Sequence, residues 1–256
     1  MATKTTKTEE TVEFVKLSQK KIELYILGRS PLICNRLSNK VKQELLSPKG
    51  RKTTAEKAGS LKHNPLEEFR NSPYLNVDPE GATYIEMLSS MIKKGMMTGA
   101  LETPGAKMAQ VGRLVYVEND RIPIFGIPKI FLSVTRSADM NKTPDVRSRA
   151  IIPKWASILQ IRYVSPTLND QMVANLVSAA GIVSGMGDWR IQKGSGNYGT
   201  FEIVNPEDPE FAELISTCGR SGQVEAMENP DPYDSETEEL LSWFDTEVKR
   251  RGIKVV

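Results

Sequence analysis

The alternation of apolar and polar positions predicts the strands of this chain. Residues 21–27 alternate apolar side chains with polar or amphipathic ones, as a half-buried strand does. Residues 157–164 carry a second strong strand pattern, and both strands run into a Ser-Pro pair. Runs rich in β-branched and aromatic residues predict paired strands within residues 114–134 and a short strand at 200–204.

Apolar residues at helical spacing predict the helices. One helix is expected over residues 81–100, and a second begins after an N-cap at Thr167 or Asn169. Residues 209–217 and 235–250 predict two more helices near the C-terminus. The first two helices and the strands give the order βαββαβ, so we expect an α+β, ferredoxin-like (RRM-like) core. Such a sheet has one face covered by helices and one free face, on which many RNA-binding proteins hold a single strand.

The composition divides the chain into an arm, a core and a tail. Within the tail, residues 219–234 are expected to form an acidic loop. The predicted division is a flexible N-terminal arm at 1–18, a core at 19–205 with basic insertions at 35–69 and 136–154, and an acidic, partly helical C-terminal extension at 206–256.

Charge is distributed unevenly along the 256 residues. Residues 1–220 hold 30 Lys and Arg against 23 Asp and Glu, whereas residues 221–256 hold 4 against 9. A basic body with an acidic tail is common in nucleic-acid proteins, since the body attracts phosphate and the tail competes for that site or recruits partners. An acidic surface that is merely solvated is the alternative.

Several function classes are disfavoured by what the sequence lacks. No apolar run approaches the roughly 20 residues of a membrane span, and Met1 to Thr11 lack the apolar segment of a signal peptide. Cys34 and Cys218 have no metal-type spacing, which favours free thiols in a reducing cytoplasm. With a single histidine, His63, and no phosphate-binding lysine motif, we expect neither an enzyme nor a cofactor.

A glycine-rich stretch over residues 181–201 holds six glycines within nineteen residues. It interleaves them with Trp189, Arg190, Lys193 and Tyr198. Cations and aromatic faces are the groups that hold phosphates and bases of a single strand, and glycines let a ligand backbone approach closely. The alternative is a loop that only turns a helix back into a sheet.

With this loop in its predicted place, between the last helix and the last strand, the chain resembles the repeat-associated mysterious protein (RAMP) superfamily. The similar residues are those at 185–190 and 194–199, although Asp188 stands where many relatives are basic. The two basic insertions are similar to the thumb and finger by which backbone subunits of CRISPR effector complexes grip a strand. The chain is also similar to uncharacterised phage and prophage proteins. The resemblance implies single-strand binding, in a filament or another homo-oligomer.

We therefore expect a sequence-tolerant binder of single-stranded DNA or RNA in the cytoplasm, that of a bacterial host if a phage encodes it. It would act in replication or recombination or as an RNA-binding filament. The residues predicted to bind nucleic acid are Arg36, Lys40, Lys42, Arg51, Lys52, Arg147, Arg149, Lys154, Gly185, Gly187, Trp189, Arg190, Lys193, Gly196 and Tyr198, with Trp155 as a further stacking candidate.

Two other functions stay open from the sequence. One is a virion or scaffold protein that assembles with its own copies, and the other is an RNA-processing endoribonuclease with His63 as general base. For the helix at 235–250, docking to a protein partner or a neighbouring copy and packing on its own body are both open.

Overall fold

The computed structural model describes residues 16–37, 42–43, 46, 63–136, 144–193 and 196–252. The strands, in chain order, are β1 (Ser18–Gly28), β2 (Leu32–Ile33), β3 (Tyr74–Leu75), β4 (Ile85–Leu88), β5 (Val115–Val117), β6 (Arg121–Pro123), β7 (Lys129–Arg136), β8 (Pro144–Ile152), β9 (Ala156–Ser165) and β10 (Phe201–Val204). The helices are α1 (Pro65–Asn71), α2 (Ser89–Glu102), α3 (Met108–Leu114), α4 (Asp170–Val183), α5 (Pro209–Thr217), α6 (Arg220–Glu228) and α7 (Ser235–Arg251), with a 3-10 turn at Ile191–Lys193.

The central sheet has four antiparallel strands in the order β10-β1-β9-β5. The alternation predicted for β1 and β9 is confirmed: Leu24 lies opposite Leu159 and Ile22 opposite Ile161. These positions share one apolar core with buried residues of α2 and α4. The two helices therefore cover one face of this sheet, and the chain belongs to the α+β class.

Helices α2 and α4 pack closely because small residues lie where they cross. A Cβ built on Gly99 would lie 2.9 Å from the Cβ of Ala179, and one on Gly95 would lie 3.1 Å from the Cβ of Ala180. Larger side chains at these positions would push the helices apart and loosen the core between them and the sheet.

The other strands form two three-stranded sheets, β2-β8-β7 and β3-β4-β6. Strand β8 lies within the segment that the sequence marks as the basic insertion 136–154, and its pattern did not predict a strand. It pairs with β7 from Lys129 opposite Ile151 to Arg136 opposite Pro144. Arg149 lies between the buried Ser148 and Ala150, so a charged residue masks the strand alternation there.

The strands expected within residues 114–134 are present, but they do not pair with one another, since β5 pairs with β9, β6 with β4 and β7 with β8. Two further predictions of local structure are wrong. The helix expected over residues 81–100 begins only at Ser89, because residues 85–88 form β4. Ile85 and Met87 are buried there while Glu86 between them is half-buried, so a period of two holds before the helical period begins. The acidic loop expected at 219–234 contains α6, whose Gln223 is fully buried.

Helices α5 and α7 pack against the body of the protein. Phe211 and Leu214 of α5 pack with Leu27 and Ala156 on the face of the central sheet that α2 and α4 leave free. Helix α7, which begins after an N-cap at Asp234, lies along β7. Within the ranges described above, no helix combines the length and the apolar character needed to cross a membrane.

Candidate nucleic-acid interface

The glycine-rich stretch folds tightly upon itself. Gly185, Gly187 and Gly199 have φ values of 69°, 76° and 71°, which L-residues with side chains seldom adopt. A Cβ on Gly199 would lie 1.8 Å from the carbonyl oxygen of Met186, and one on Gly196 would lie 1.8 Å from that of Trp189. At these positions glycine is required by close contacts within the chain.

Trp189 is half-buried in an aromatic cluster and has the left-handed φ of 50°. Its ring meets Phe131 edge-on at 6.2 Å and lies 6.0 Å from the ring of Tyr198. The cluster continues into the buried residues Ile33 and Ile151. Much of the ring area that would stack on a base is therefore already used in packing.

Arg149 is held by the same loop. Its side chain is 13% exposed, Nη1 lies 2.6 Å from Oδ2 of Asp188, and the guanidinium lies 5.7 Å from the Trp189 ring centre. Asn35 Nδ2 also donates to Asp188 Oδ2, at 3.1 Å. Burial lowers the pKa of the Arg149 guanidinium, while the Asp188 carboxylate acts to raise it. The charge of Arg149 is thus neutralised inside the protein.

Arg190 is half-buried and bonded within the loop. Its Nη1 donates to the carbonyl oxygen of Gly187 at 2.9 Å, and its Nε donates to Gln192 Oε1 at 3.2 Å. Gln192 Nε2 in turn donates to Thr98 Oγ1 on α2 at 3.0 Å. These bonds tie the glycine-rich stretch to the helical layer, and no carboxylate opposes the charge of Arg190 in them.

Among the other predicted cations that the structure describes, Arg147 and Lys154 face acids. Arg147 lies 3.2 Å from Asp145 Oδ2, whereas Lys154, 73% exposed, lies 3.3 Å from Glu210 Oε1 on α5. Arg36 lies over the ring of Tyr74 at 5.9 Å. Lys42 is exposed, the side chain of Lys193 is not described, and Lys40, Arg51 and Lys52 lie outside the described residues.

The expectation that Trp155 offers a stacking face is wrong. Its side chain is fully buried, its Nε1 donates to the carbonyl oxygen of Ser30 at 2.9 Å, and its ring lies 6.1 Å from that of Phe201. A tryptophan beside a strand fills the core when its N–H finds an internal acceptor, as here.

His63 is enclosed by carboxylates. Its Nδ1 lies 2.6 Å from Glu68 Oε1, and its Nε2 lies 2.9 Å from Asp145 Oδ1. Both ring nitrogens have carboxylate partners in this arrangement, and a general base at this position would have to exchange one of them for a substrate. Among the residues that the structure describes, no three His, Cys, Asp or Glu side chains are grouped so as to hold a metal ion.

The central sheet carries a set of residues that the sequence analysis did not select. Lys21 on β1 lies opposite Arg162 on β9, and Arg162 lies opposite Tyr116 on β5. Residues directly opposite in neighbouring strands point to the same face of the sheet. We call Lys21, Arg162 and Tyr116 the open-face row, because they lie on the face that α2 and α4 do not cover.

The open-face row joins cations to an exposed aromatic ring. Tyr116 is 49% exposed, and the guanidinium carbon of Arg162 lies 4.7 Å from its ring centre. Glu118 is shared by both cations, at 2.7 Å from Lys21 Nζ and 2.9 Å from Arg162 Nε. Glu118 thus holds both cations beside the ring, and Glu23, two positions from Lys21 on β1, adds a second carboxylate on the same face.

A shallow groove of about 210 Å³ adjoins the row, and its lining includes Gln19, the exposed Arg113 and Val164. At the other end of this face, α5 covers the sheet, where the ring of Phe211 meets that of Tyr25 at 5.5 Å. The accessible part of the face is therefore confined to the end near the groove.

The sequence held a signal for this row, although a weak one. Lys21 and Arg162 are the polar positions of strands whose alternation is clear, so their placement on the outer face follows from the period of two. Their meeting with Tyr116 does not follow, because it depends on the pairing of β5 with β9 across more than forty residues of chain.

Replacing Trp189 with alanine is expected to lower the free energy of unfolding by about 2 kcal/mol, less than for a fully buried tryptophan because Trp189 is only partly buried. Urea denaturation measures this, with Trp189→Phe as the control that keeps an aromatic ring against Phe131. Unchanged stability together with weaker binding of a single strand would show that the ring serves the ligand and not the fold.

Comparison with solved structures gives a distant likeness. No protein-family model and no curated protein matches the chain. Among solved structures, it is similar to a chain in a cryo-EM structure of the Type III-B Cmr-beta bound to cognate target RNA. The identity is 13%, the TM-score is 0.36, and the match covers 73% of this chain and 59% of that one. A likeness of this degree determines neither fold nor function.

Proposed function

We propose that this protein binds single-stranded nucleic acid with little sequence preference, and that the open-face row is its principal contact. The observation that carries the proposal is the exposed ring of Tyr116 beside the guanidinium of Arg162 at 4.7 Å, with Lys21 next in the row. An aromatic face for a base and neighbouring cations for phosphates are the two elements that a single strand requires.

The chemistry of the row favours tolerance of sequence. Every base has a face that stacks on an aromatic ring, so stacking on Tyr116 does not distinguish one base from another. The cations bind phosphate, which is the same at every nucleotide. Glu118 holds both cations in place, and a phosphate that binds Lys21 or Arg162 competes with it.

The glycine-rich stretch is proposed as a second contact, smaller than the sequence alone suggests. Arg190 has the charge that no carboxylate opposes within the loop, and the outer part of Trp189 is accessible. Arg149 is assigned to the structure of the loop, since its partner is Asp188.

We also infer that the central sheet with α2 and α4 is a ferredoxin-like core of the RAMP type. The support is the strand order β10-β1-β9-β5, in which α2 lies between β1 and β5 in the chain and α4 lies between β9 and β10. A binder on this core has no need of catalysis, and we propose that it meets single strands in the cytoplasm, as a homo-oligomer and as a phage-encoded protein.

Fluorescence anisotropy with labelled single-stranded DNA, single-stranded RNA and duplex DNA across a salt series tests the function. We expect binding to a single strand that exceeds binding to duplex and weakens as salt rises, because phosphate contacts release counterions. The stronger ligand identifies the polymer. Absence of binding to all three at low salt would overturn the proposal.

Substitutions in the row test the site. Tyr116→Ala is expected to weaken binding by about 5- to 150-fold, equivalent to about 1–3 kcal/mol for one lost stack, whereas Tyr116→Phe retains affinity. Lys21→Gln is expected to reduce the slope of log affinity against log salt by about 0.7–0.9. Lys94→Gln, exposed on α2 behind the sheet, is the matched control and leaves the slope unchanged. Equal affinities of Tyr116→Ala and the parent would remove the row from the site.

A further inference from the structure

Helix α7 exposes a large aromatic side chain that its own fold does not use. Trp243 is 63% exposed, although the opposite side of the helix is well packed. Thr237 and Val248 are buried, and Leu240 and Leu241 lie against the core. An exposed tryptophan on a firmly packed helix is a common feature of surfaces that bind another protein.

The attachment of α7 fixes the direction in which Trp243 points. Leu132 N on β7 donates to Thr237 Oγ1 at 3.2 Å, and Thr237 N donates to the N-cap Asp234 Oδ1 at 2.8 Å. These bonds hold α7 on the sheet β2-β8-β7, away from the central sheet. Movement of α7 to the open-face row of its own chain would break them, whereas contact with another molecule leaves them in place.

Acids lie beside Trp243 towards the N-terminus of the helix, whereas towards the C-terminus Glu247 is paired with Arg250 and Arg251. Glu236 and Glu239 precede it by seven and four residues, so they lie on its side of the helix, and both are exposed. From residue 221 to residue 248 the chain has nine acids and no cation. We call Trp243, Glu236 and Glu239 the α7 flank.

We propose that the α7 flank of one molecule docks onto the open-face row of a second copy of this chain, and so competes there with nucleic acid. The choice of acceptor rests on the proposed function, since both ligands use the same row. The chemistry is complementary: Glu236 and Glu239 carry the charge that Lys21 and Arg162 attract, and an indole ring binds a guanidinium or stacks on a tyrosine.

The two surfaces are different patches of the same protein, so the contact is head-to-tail. Each molecule would offer one flank and one row, and such an interface extends into open chains or closes into rings. A nucleic-acid strand that occupies the row displaces the flank of the neighbouring copy. The protein without nucleic acid is then self-associated, and a bound single strand dissociates the assembly.

Sedimentation velocity of the full chain, freed of nucleic acid as judged by its absorbance ratio, tests the docking. We expect association that grows with protein concentration and weakens as salt rises. Trp243→Ala and the double variant Glu236→Gln/Glu239→Gln are each expected to weaken it about tenfold or more. Leu101→Ala, which removes a side chain of matched exposure (64%) from α2, leaves it unchanged.

Mixing two defective variants tests the head-to-tail geometry. Trp243→Ala keeps an intact row, and Tyr116→Ala keeps an intact flank, so neither associates alone but the mixture forms heterodimers. Circular dichroism and thermal melts of each variant exclude unfolding as the cause. A mixture that remains monomeric, or a parent chain that is monomeric at every concentration and salt, overturns the proposal.

Addition of unlabelled single-stranded oligonucleotide separates this proposal from the proposed function. Dissociation of the parent assembly on saturation supports competition for the row. An assembly that persists with the oligonucleotide bound overturns the row as acceptor. If no oligonucleotide binds while association still depends on Trp243 and Tyr116, the result supports the docking proposal and contradicts the proposed nucleic-acid binding.

Discussion

Replacement of Gln223 by alanine is expected to lower the free energy of unfolding by about 4 kcal/mol or more, because it removes partners from several buried backbone groups at about 1–3 kcal/mol each. Gln223 Oε1 accepts from Tyr84 N at 2.8 Å and Ile85 N at 3.0 Å. Its Nε2 donates to the carbonyl oxygens of Ile124 at 2.6 Å and Gly126 at 3.0 Å. One amide thus joins α6 to the strand β4 and to the segment after β6.

Urea denaturation of three variants measures this effect. Gln171→Ala, an exposed glutamine on α4, is the matched control and is expected to change stability little. Gln223→Glu is also expected to destabilise, since it places carboxylate oxygens against the carbonyls of Ile124 and Gly126. A loss below about 1 kcal/mol in Gln223→Ala would show that water replaces the amide, and that α6 is not required for the fold.

Gly199→Ala is expected to cost about 3 kcal/mol or more, as the sum of a backbone and a steric effect. The φ of 71° alone disfavours alanine, and the new Cβ would lie 1.8 Å from the carbonyl oxygen of Met186. Met186 N donates to the carbonyl oxygen of Gly199 at 2.8 Å, so the two segments cannot separate without losing this bond.

Gly105→Ala separates the two effects. Gly105 has a φ of 81°, and nothing lies within 4 Å of its Cβ position, so only the backbone effect of about 1–2 kcal/mol is expected. The difference between the two variants in chemical denaturation reports the steric effect. Equal losses would mean that the loop of residues 185–199 yields easily, and that its close contacts do not stabilise the protein.

The elements that could be predicted from the sequence are those in which local pattern and tertiary contacts agree. The strand at 21–27 lies within Ser18–Gly28, and the expected helix at 209–217 has the observed bounds Pro209–Thr217. In the strand, apolar residues at every second position pack into the core. In the helix, Asp208 is the N-cap and Pro209 is the first residue. Such elements are determined by residues close together in the chain.

The elements that were missed depend on distant partners. Helix α6 has few apolar residues, and most hydrogen-bond partners of its buried Gln223 are backbone groups about a hundred or more residues away in the chain. The sequence of β8 is typical of a polar loop, and the segment forms a strand because it pairs with β7. In both, contacts across the fold determine a structure for which the local pattern is weak.

The candidate site shows the same division. Arg149 and Trp189 were predicted to bind nucleic acid because their residue types are typical of such sites. In the structure Arg149 forms an ion pair with Asp188, and the ring of Trp189 packs against Phe131. The open-face row was missed because Lys21, Arg162 and Tyr116 come from three separate strands. The residue types are known from the sequence, but the pairing of the strands determines which side chains remain exposed to a ligand.

Helix α5 covers one end of the open face, and this would limit the length of nucleic-acid strand that the proposed site can hold. The accessible rows extend from Gln19 to Glu23 on β1, about 13 Å, which is about four nucleotides at the rise of a stacked strand. If the open-face row binds a single strand as proposed, one molecule would hold only a few nucleotides, and a longer strand would hold several molecules at once. The number of molecules bound to one strand would therefore rise in steps of about four nucleotides as the strand is lengthened.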